Sequence, residues 1–87
     1  MVETEVGKVT HYFSRLGVAV VQIDRDGIAV GETVRIKGET TDMTQEVKSM
    51  QMEHREVDEA KAGDAVGLKV DEHVREKDHV YKVESDA

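Results

Sequence analysis

The segment Val18-Ala19-Val20-Val21-Gln22-Ile23 restricts the fold more than any other stretch of the chain. It is apolar, mostly β-branched, and stopped at once by Asp24-Arg25-Asp26-Gly27. A run this short and branched reads as a buried strand rather than a helix. Asp-Gly is a strong turn signal, because glycine takes up positive φ at little cost. The rest of the chain repeats that layout. Residues 5–13 (EVGKVTHYF) have the composition of a half-buried pleated surface, and Ser14–Gly17 is a turn. After a turn at Val30-Gly31-Glu32, Thr33 to Lys37 alternates, with Val34 and Ile36 on one face and Arg35 and Lys37 on the other.

Gly38 to Asp42 reads as a polar loop and Met43 to Glu53 as a strand-like segment. Its apolar phase changes between Val47 and Met50, which predicts a bulge or kink. Glu56 to Asp64 is the least strand-like stretch, either one helical turn or an ordered loop ending at Gly63. Ala65 to Val70 resumes alternation with Val66, Leu68 and Val70 inward; Asp71 to Asp78 is a charged loop, and His79 to Val83 is a last strand. Six or seven short strands without a proline predict an all-β chain, a small six- to seven-stranded antiparallel β-barrel. The expectation is a single domain over residues 1–87, with its core at about 5–83 and short flexible termini. Gly63 is expected to supply positive φ before a core strand and Gly38 to lie in slack chain, so Gly63→Val is expected to cost more than Gly38→Val.

Charge narrows the partners. Twelve basic and nineteen acidic side chains leave a net charge of -7, most of it in residues 45–87. Such a field repels phosphate, so no DNA and no nucleotide are expected as ligands, although a local basic patch on an acidic body is compatible with it. The three aromatics, Tyr12, Phe13 and Tyr81, make a poor stacking platform for single strands. No apolar run is long enough for a transmembrane helix and the start lacks the order of a signal peptide, so no membrane contact and a cytoplasmic location are expected.

Catalytic chemistry has no support in the residues. The chain has no cysteine, and His11, His54, His73 and His79 lack the spacing that puts two ligands on one helix face. Ser14, Ser49 and Ser85 have no nucleophile elbow, and the glycines form no phosphate loop. The expectation is a binding module, not an enzyme, with no metal and no cofactor.

Ile28-Ala29-Val30-Gly31-Glu32-Thr33-Val34-Arg35-Ile36, then Ser49-Met50-Gln51-Met52, then Val57-Asp58-Glu59-Ala60-Lys61-Ala62-Gly63-Asp64-Ala65-Val66-Gly67-Leu68 carry a resemblance. They resemble the second domain of translational GTPases such as elongation factor Tu, over roughly residues 5 to 83. A similar barrel occurs at the C-terminus of collagenase-like peptidases, as an appendage without the peptidase site. The resemblance implies an antiparallel barrel of the translation-protein type and a non-catalytic module whose partner is RNA or the ribosome. The peptidase likeness implies instead an accessory domain or partner subunit that binds protein. Carried onto this chain, the family's working surface holds Gln51, His54, Arg55, Glu59 and Lys61.

Overall fold

A computed structural model describes residues 2–84. The chain is all-β, and every strand pairing is antiparallel. The strands are β1 (Val2–Phe13), β2 (Val18–Ile23), β3 (Ile28–Ala29), β4 (Thr33–Lys37), β5 (Asp42–Glu46), β6 (Met50–Met52), β7 (Arg55–Val57), β8 (Glu59–Ala60), β9 (Ala65–Lys69) and β10 (His79–Glu84). Eight of them form one sheet in the order β5-β4-β10-β1-β2-β9-β6-β7, and β3 pairs with β8 apart from it.

Where alternation is visible in the sequence, the strands follow it. Val34 and Ile36 of β4, Val66 and Leu68 of β9, and Val80 of β10 are fully buried, while Lys37 and Lys69 face solvent. The phase change after Val47 is a strand break: β5 ends at Glu46, and β6 starts at Met50. Both Val47 and Met50 are nevertheless buried, so the break turns the chain without taking it out of the core. The loop after β9 is likewise anchored, by the fully buried Val74.

The structure corrects three expectations. There are ten strands among the described residues rather than six or seven. Of the additions, β8 lies within the stretch read as a helical turn or loop, and β7 runs into it from Arg55. Elements of two or three residues are too short for a period-2 pattern to register, and they are defined by backbone pairing alone. Second, β1 begins at Val2, paired with Glu84, so ordered structure starts before residue 5; Met1 and residues 85–87, where the rest of the flexible termini was expected, lie outside the described residues. Third, Gly38 is not slack. A Cβ there would run into the carboxylate of Asp78, which is buried and accepts the Arg75 N–H at 2.8 Å. Gly63 does have positive φ, 95°, but with open space around it, so the expected contrast between the two glycines loses its basis.

The long β1 bends at two irregularities, between Glu5 and Gly7 and between Val9 and His11. A bulge sharpens twist and lets one strand serve two neighbours at different angles. Here the neighbours are β10 and β2. The bends roll the sheet, so that β5 at one end comes close to the chain leaving β9. The Gln45 side chain makes the join: its amide donates to the Lys69 carbonyl at 2.9 Å, and its oxygen accepts the Asp71 N–H at 2.8 Å.

On the outer face, Arg35 of β4 binds both oxygens of Asp42 at 2.8 Å and reaches Glu3 of β1 at 2.9 Å. The hydrogen bonds from Arg35 hold the Asp42 carboxyl below its ordinary value of 3.8. A carboxyl lowered in the folded state contributes stability above its unfolded pKa and loses it as pH falls through the folded one. Thermal unfolding is therefore expected to show an Arg35-dependent loss below about pH 4. Arg35→Gln should flatten that part of the Tm profile relative to wild type. The pair is solvent-exposed, so the effect at neutral pH is small.

Candidate functional site

Three of the five residues on the expected working surface share one hairpin. Gln51 lies on β6, opposite Glu56 of β7; Arg55 lies opposite Met52; and His54 occupies the turn between the strands. All three are exposed. Glu59 and Lys61 sit elsewhere along the same chain run. Glu59 is on β8 opposite Ala29, and Lys61 begins a turn in which its N–H donates to the Asp64 carboxylate at 2.8 Å. Asp64 returns its own N–H to the Lys61 carbonyl at 2.9 Å, which fixes the backbone and leaves the ammonium free to point outward. Among the described residues, none of the five side chains makes a hydrogen bond or ion pair.

The hairpin turn is unusual. Its two central residues, Glu53 and His54, have φ of 50° and 67°. A two-residue turn with positive φ at both positions matches the twist of its strands, but favours Asn-Gly over side chains such as these. The left-handed region costs a non-glycine residue free energy, and strained residues cluster at functional surfaces. Replacing Glu53-His54 with Asn-Gly is expected to stabilise the fold by about 1–2 kcal/mol, because the new pair adopts this turn without strain. The urea midpoint checks it. A rise in midpoint coupled to weaker partner binding would place the natural pair in the contact surface.

Sequence reasoning missed Glu53 and Glu56, because an isolated hairpin of this length carries no alternation to reveal which residues stand beside Gln51. It also missed the apolar tip of the β1–β2 hairpin. Phe13 and Leu16 are 44% and 62% exposed there, whereas residues 5–13 as a whole read as half-buried. The histidines do not converge. His79 Nδ1 lies 2.6 Å from a Glu5 oxygen, His11 lies 3.8 Å from Glu76, and His73 packs edge-on against Tyr12. Among the described residues, no group of three or more His, Cys, Asp and Glu side chains could hold a metal ion, and no helix is long and apolar enough to cross a membrane.

In structure, the chain is similar to the C-terminal domain of a protein described as a U32 peptidase from Geobacillus thermoleovorans. The two superpose with a TM-score of 0.84 at 26% identity, covering 92% of each chain. In sequence, the chain is 41% identical over 78 residues to an uncharacterized protease of Methanocaldococcus jannaschii, covering 88% of this chain and 19% of that protein. It is 37% identical over 81 residues to a collagenase of Porphyromonas gingivalis, covering 92% of this chain and 22% of the collagenase. The chain thus spans about a fifth of the length of the curated relatives it matches. No family model matches it. These relatives agree with the resemblance to the barrel of collagenase-like peptidases and give the translation-factor resemblance no support.

Proposed function

We propose that this chain is a non-catalytic accessory domain of the kind carried at the C-terminus of U32-type peptidases, and that it works by binding polypeptide. The observation that supports the reading most directly is the structural likeness, which runs to a C-terminal domain over nearly its whole length. A module of this size beside a much larger protease portion has the proportions of an attachment or substrate-positioning unit. The net charge of -7 favours protein over nucleic acid as the partner. Its contact surface is the β6–β7 hairpin with the following turn: Gln51, His54, Arg55, Glu59 and Lys61. Loops on a rigid sheet are the usual carriers of binding residues, and Arg55 is best suited to bidentate contact with a carboxylate.

An NMR titration of the labelled chain tests this with gelatin, full-length Porphyromonas gingivalis collagenase, tRNA and ribosomal subunits in separate arms. Shift changes confined to residues 51–61 on adding a polypeptide, with no cleavage of the gelatin, are the expected result. Saturable tRNA binding that weakens steeply with salt would instead restore the RNA reading. Changes centred on residues 9–23 would reject the hairpin as the contact surface.

A further inference from the structure

An antiparallel sheet with one face in the core commonly turns a polar face to water, but β2 is apolar on both sides. Ala19, Val21 and Ile23 are buried, and between them Val18 and Val20 point outward and are only half-buried. The register carries that apolar strip across the sheet, because residues paired in an antiparallel ladder share a face. His11 and Phe13 of β1 stand opposite Val20 and Val18, with their rings 4.4 Å apart, and Gly67 of β9 stands opposite Val20 on the other side. Over this stretch the outward positions of β1, β2 and β9 hold two cations, Lys8 and Lys69, and no acid, although the whole chain carries -7. Lys69 is turned aside, its ammonium donating to the Leu16 carbonyl at 2.6 Å.

Gly67 makes a notch in this face. It is not among the glycines with positive φ, so its backbone conformation does not demand glycine. A Cβ there would meet only a Val18 methyl at 3.3 Å and the Gln51 carbonyl at 3.7 Å, and a small shift of the Val18 side chain accommodates it. Glycine weakens a strand interior, and where the fold does not require it, it marks the close approach of another chain.

We propose that this face pairs with the same face of a second copy of the chain, with Val20 of each seated over Gly67 of the other. Val20 and Gly67 are direct neighbours on β2 and β9, so a two-fold axis along the strands, midway between them, exchanges knob and notch in both directions. The same axis carries Lys8 of β1 toward the β6–β7 end of the other copy, where Glu56 stands opposite Gln51 on the outward side. Across β1, β2, β9 and β6, about 4.8 Å apart, and along Lys8 to Phe13 at about 3.4 Å per residue, the patch measures about 20 Å each way, or about 400 Å² on each partner. That is the size of a weak, transient interface rather than an obligate one. The proposal is independent of polypeptide binding at the hairpin, which only borders this face, at Gln51 and Glu56.

Sedimentation velocity and amide spectra of the full chain test this, from about 10 μM to about 1 mM, the range a weak interface requires. A monomer–dimer equilibrium is expected, with concentration-dependent shifts centred on residues 11–20 and 65–69. Salt should favour the dimer, because it screens the repulsion between two bodies that each carry -7. Val20→Lys should weaken association about tenfold or more, by driving an ammonium into the apolar centre. Gly67→Ala should also weaken it while leaving the urea midpoint unchanged or higher, a split that a glycine needed only by the fold would not show. Val30→Lys replaces another exposed valine, on the turn after β3, and should leave association unchanged. The amide spectrum of each variant confirms its fold. A chain that stays monomeric throughout, shifts centred on residues 51–61, equal loss from Val30→Lys, or open-ended assembly would each overturn the pairing. So would shifts on this face induced by gelatin without self-association, which would make it a polypeptide site instead.

Discussion

Gly27→Ala is expected to destabilise the fold by about 3 kcal/mol or more, from two causes acting at one atom. Gly27 has φ of 84°, where an L side chain is strained, and a Cβ there would drive into the backbone carbonyl of Ala60. The obstacle is main chain, so no rotamer change relieves it. Ile28 follows directly and pairs with Ala60, and both are buried, so moving the backbone apart opens the core where β3 meets β8. Gly31→Ala separates the two causes: Gly31 has φ of 95° but nothing within 4 Å of the added carbon. It should lose only the conformational part, about 1–2 kcal/mol. Urea midpoints decide the matter. Equal losses for the two variants would mean that the approach of Gly27 to Ala60 constrains nothing. A domain of this size is typically stable by only about 4–13 kcal/mol, so Gly27→Ala removes a substantial share.

Gly27 also shows how far the sequence could be read. Asp26-Gly27 announced its turn, and Asp26 and Gly27 do have φ of 60° and 84°. The same pair could not announce that the turn lies against Ala60, because that contact joins segments far apart in the chain. The division holds throughout. Val34/Ile36 and Val66/Leu68 declared their buried faces, since alternation over five residues is visible locally. The pairing of β7 with β6 and of β8 with β3 was not visible, since these short strands are defined by their partners. For the candidate surface, the family resemblance grouped Gln51, His54 and Arg55 with Glu59 and Lys61, while the hairpin that joins the first three was not legible. Glu59 and Lys61, close in sequence, fall on a different pairing.

Replacing Gln45 should expose what holds the rolled sheet together. β5 is an end of the hydrogen-bond ladder, and the chain leaving β9 presents it with an acceptor and a donor, Lys69 C=O and Asp71 N–H. One primary amide satisfies both, and Gln45 is only 8% exposed. Gln45→Leu leaves two backbone groups without a partner in a nearly dry site. At about 1–3 kcal/mol for each unsatisfied group, the expected loss is about 2–4 kcal/mol, allowing for partial relief by water. Gln45→Glu gives the sharper result. The carboxylate can still accept from Asp71 but sets a second oxygen against the Lys69 carbonyl, where the amide had donated. Burial and that repulsion raise the folded-state pKa of the new carboxyl above its unfolded value of about 4.3. The penalty is then present above the raised folded pKa and fades as pH falls through it, when the protonated oxygen can donate to Lys69. Stability of Gln45→Glu, measured as a difference from wild type at each pH, should recover toward acid, while that of Gln45→Leu stays constant. Taking the difference removes the acid loss common to both chains from the Arg35–Asp42 pair. A Gln45→Glu deficit independent of pH would show that the Lys69 carbonyl never depended on the amide, and that bulges and core packing alone hold β5 beside the chain leaving β9.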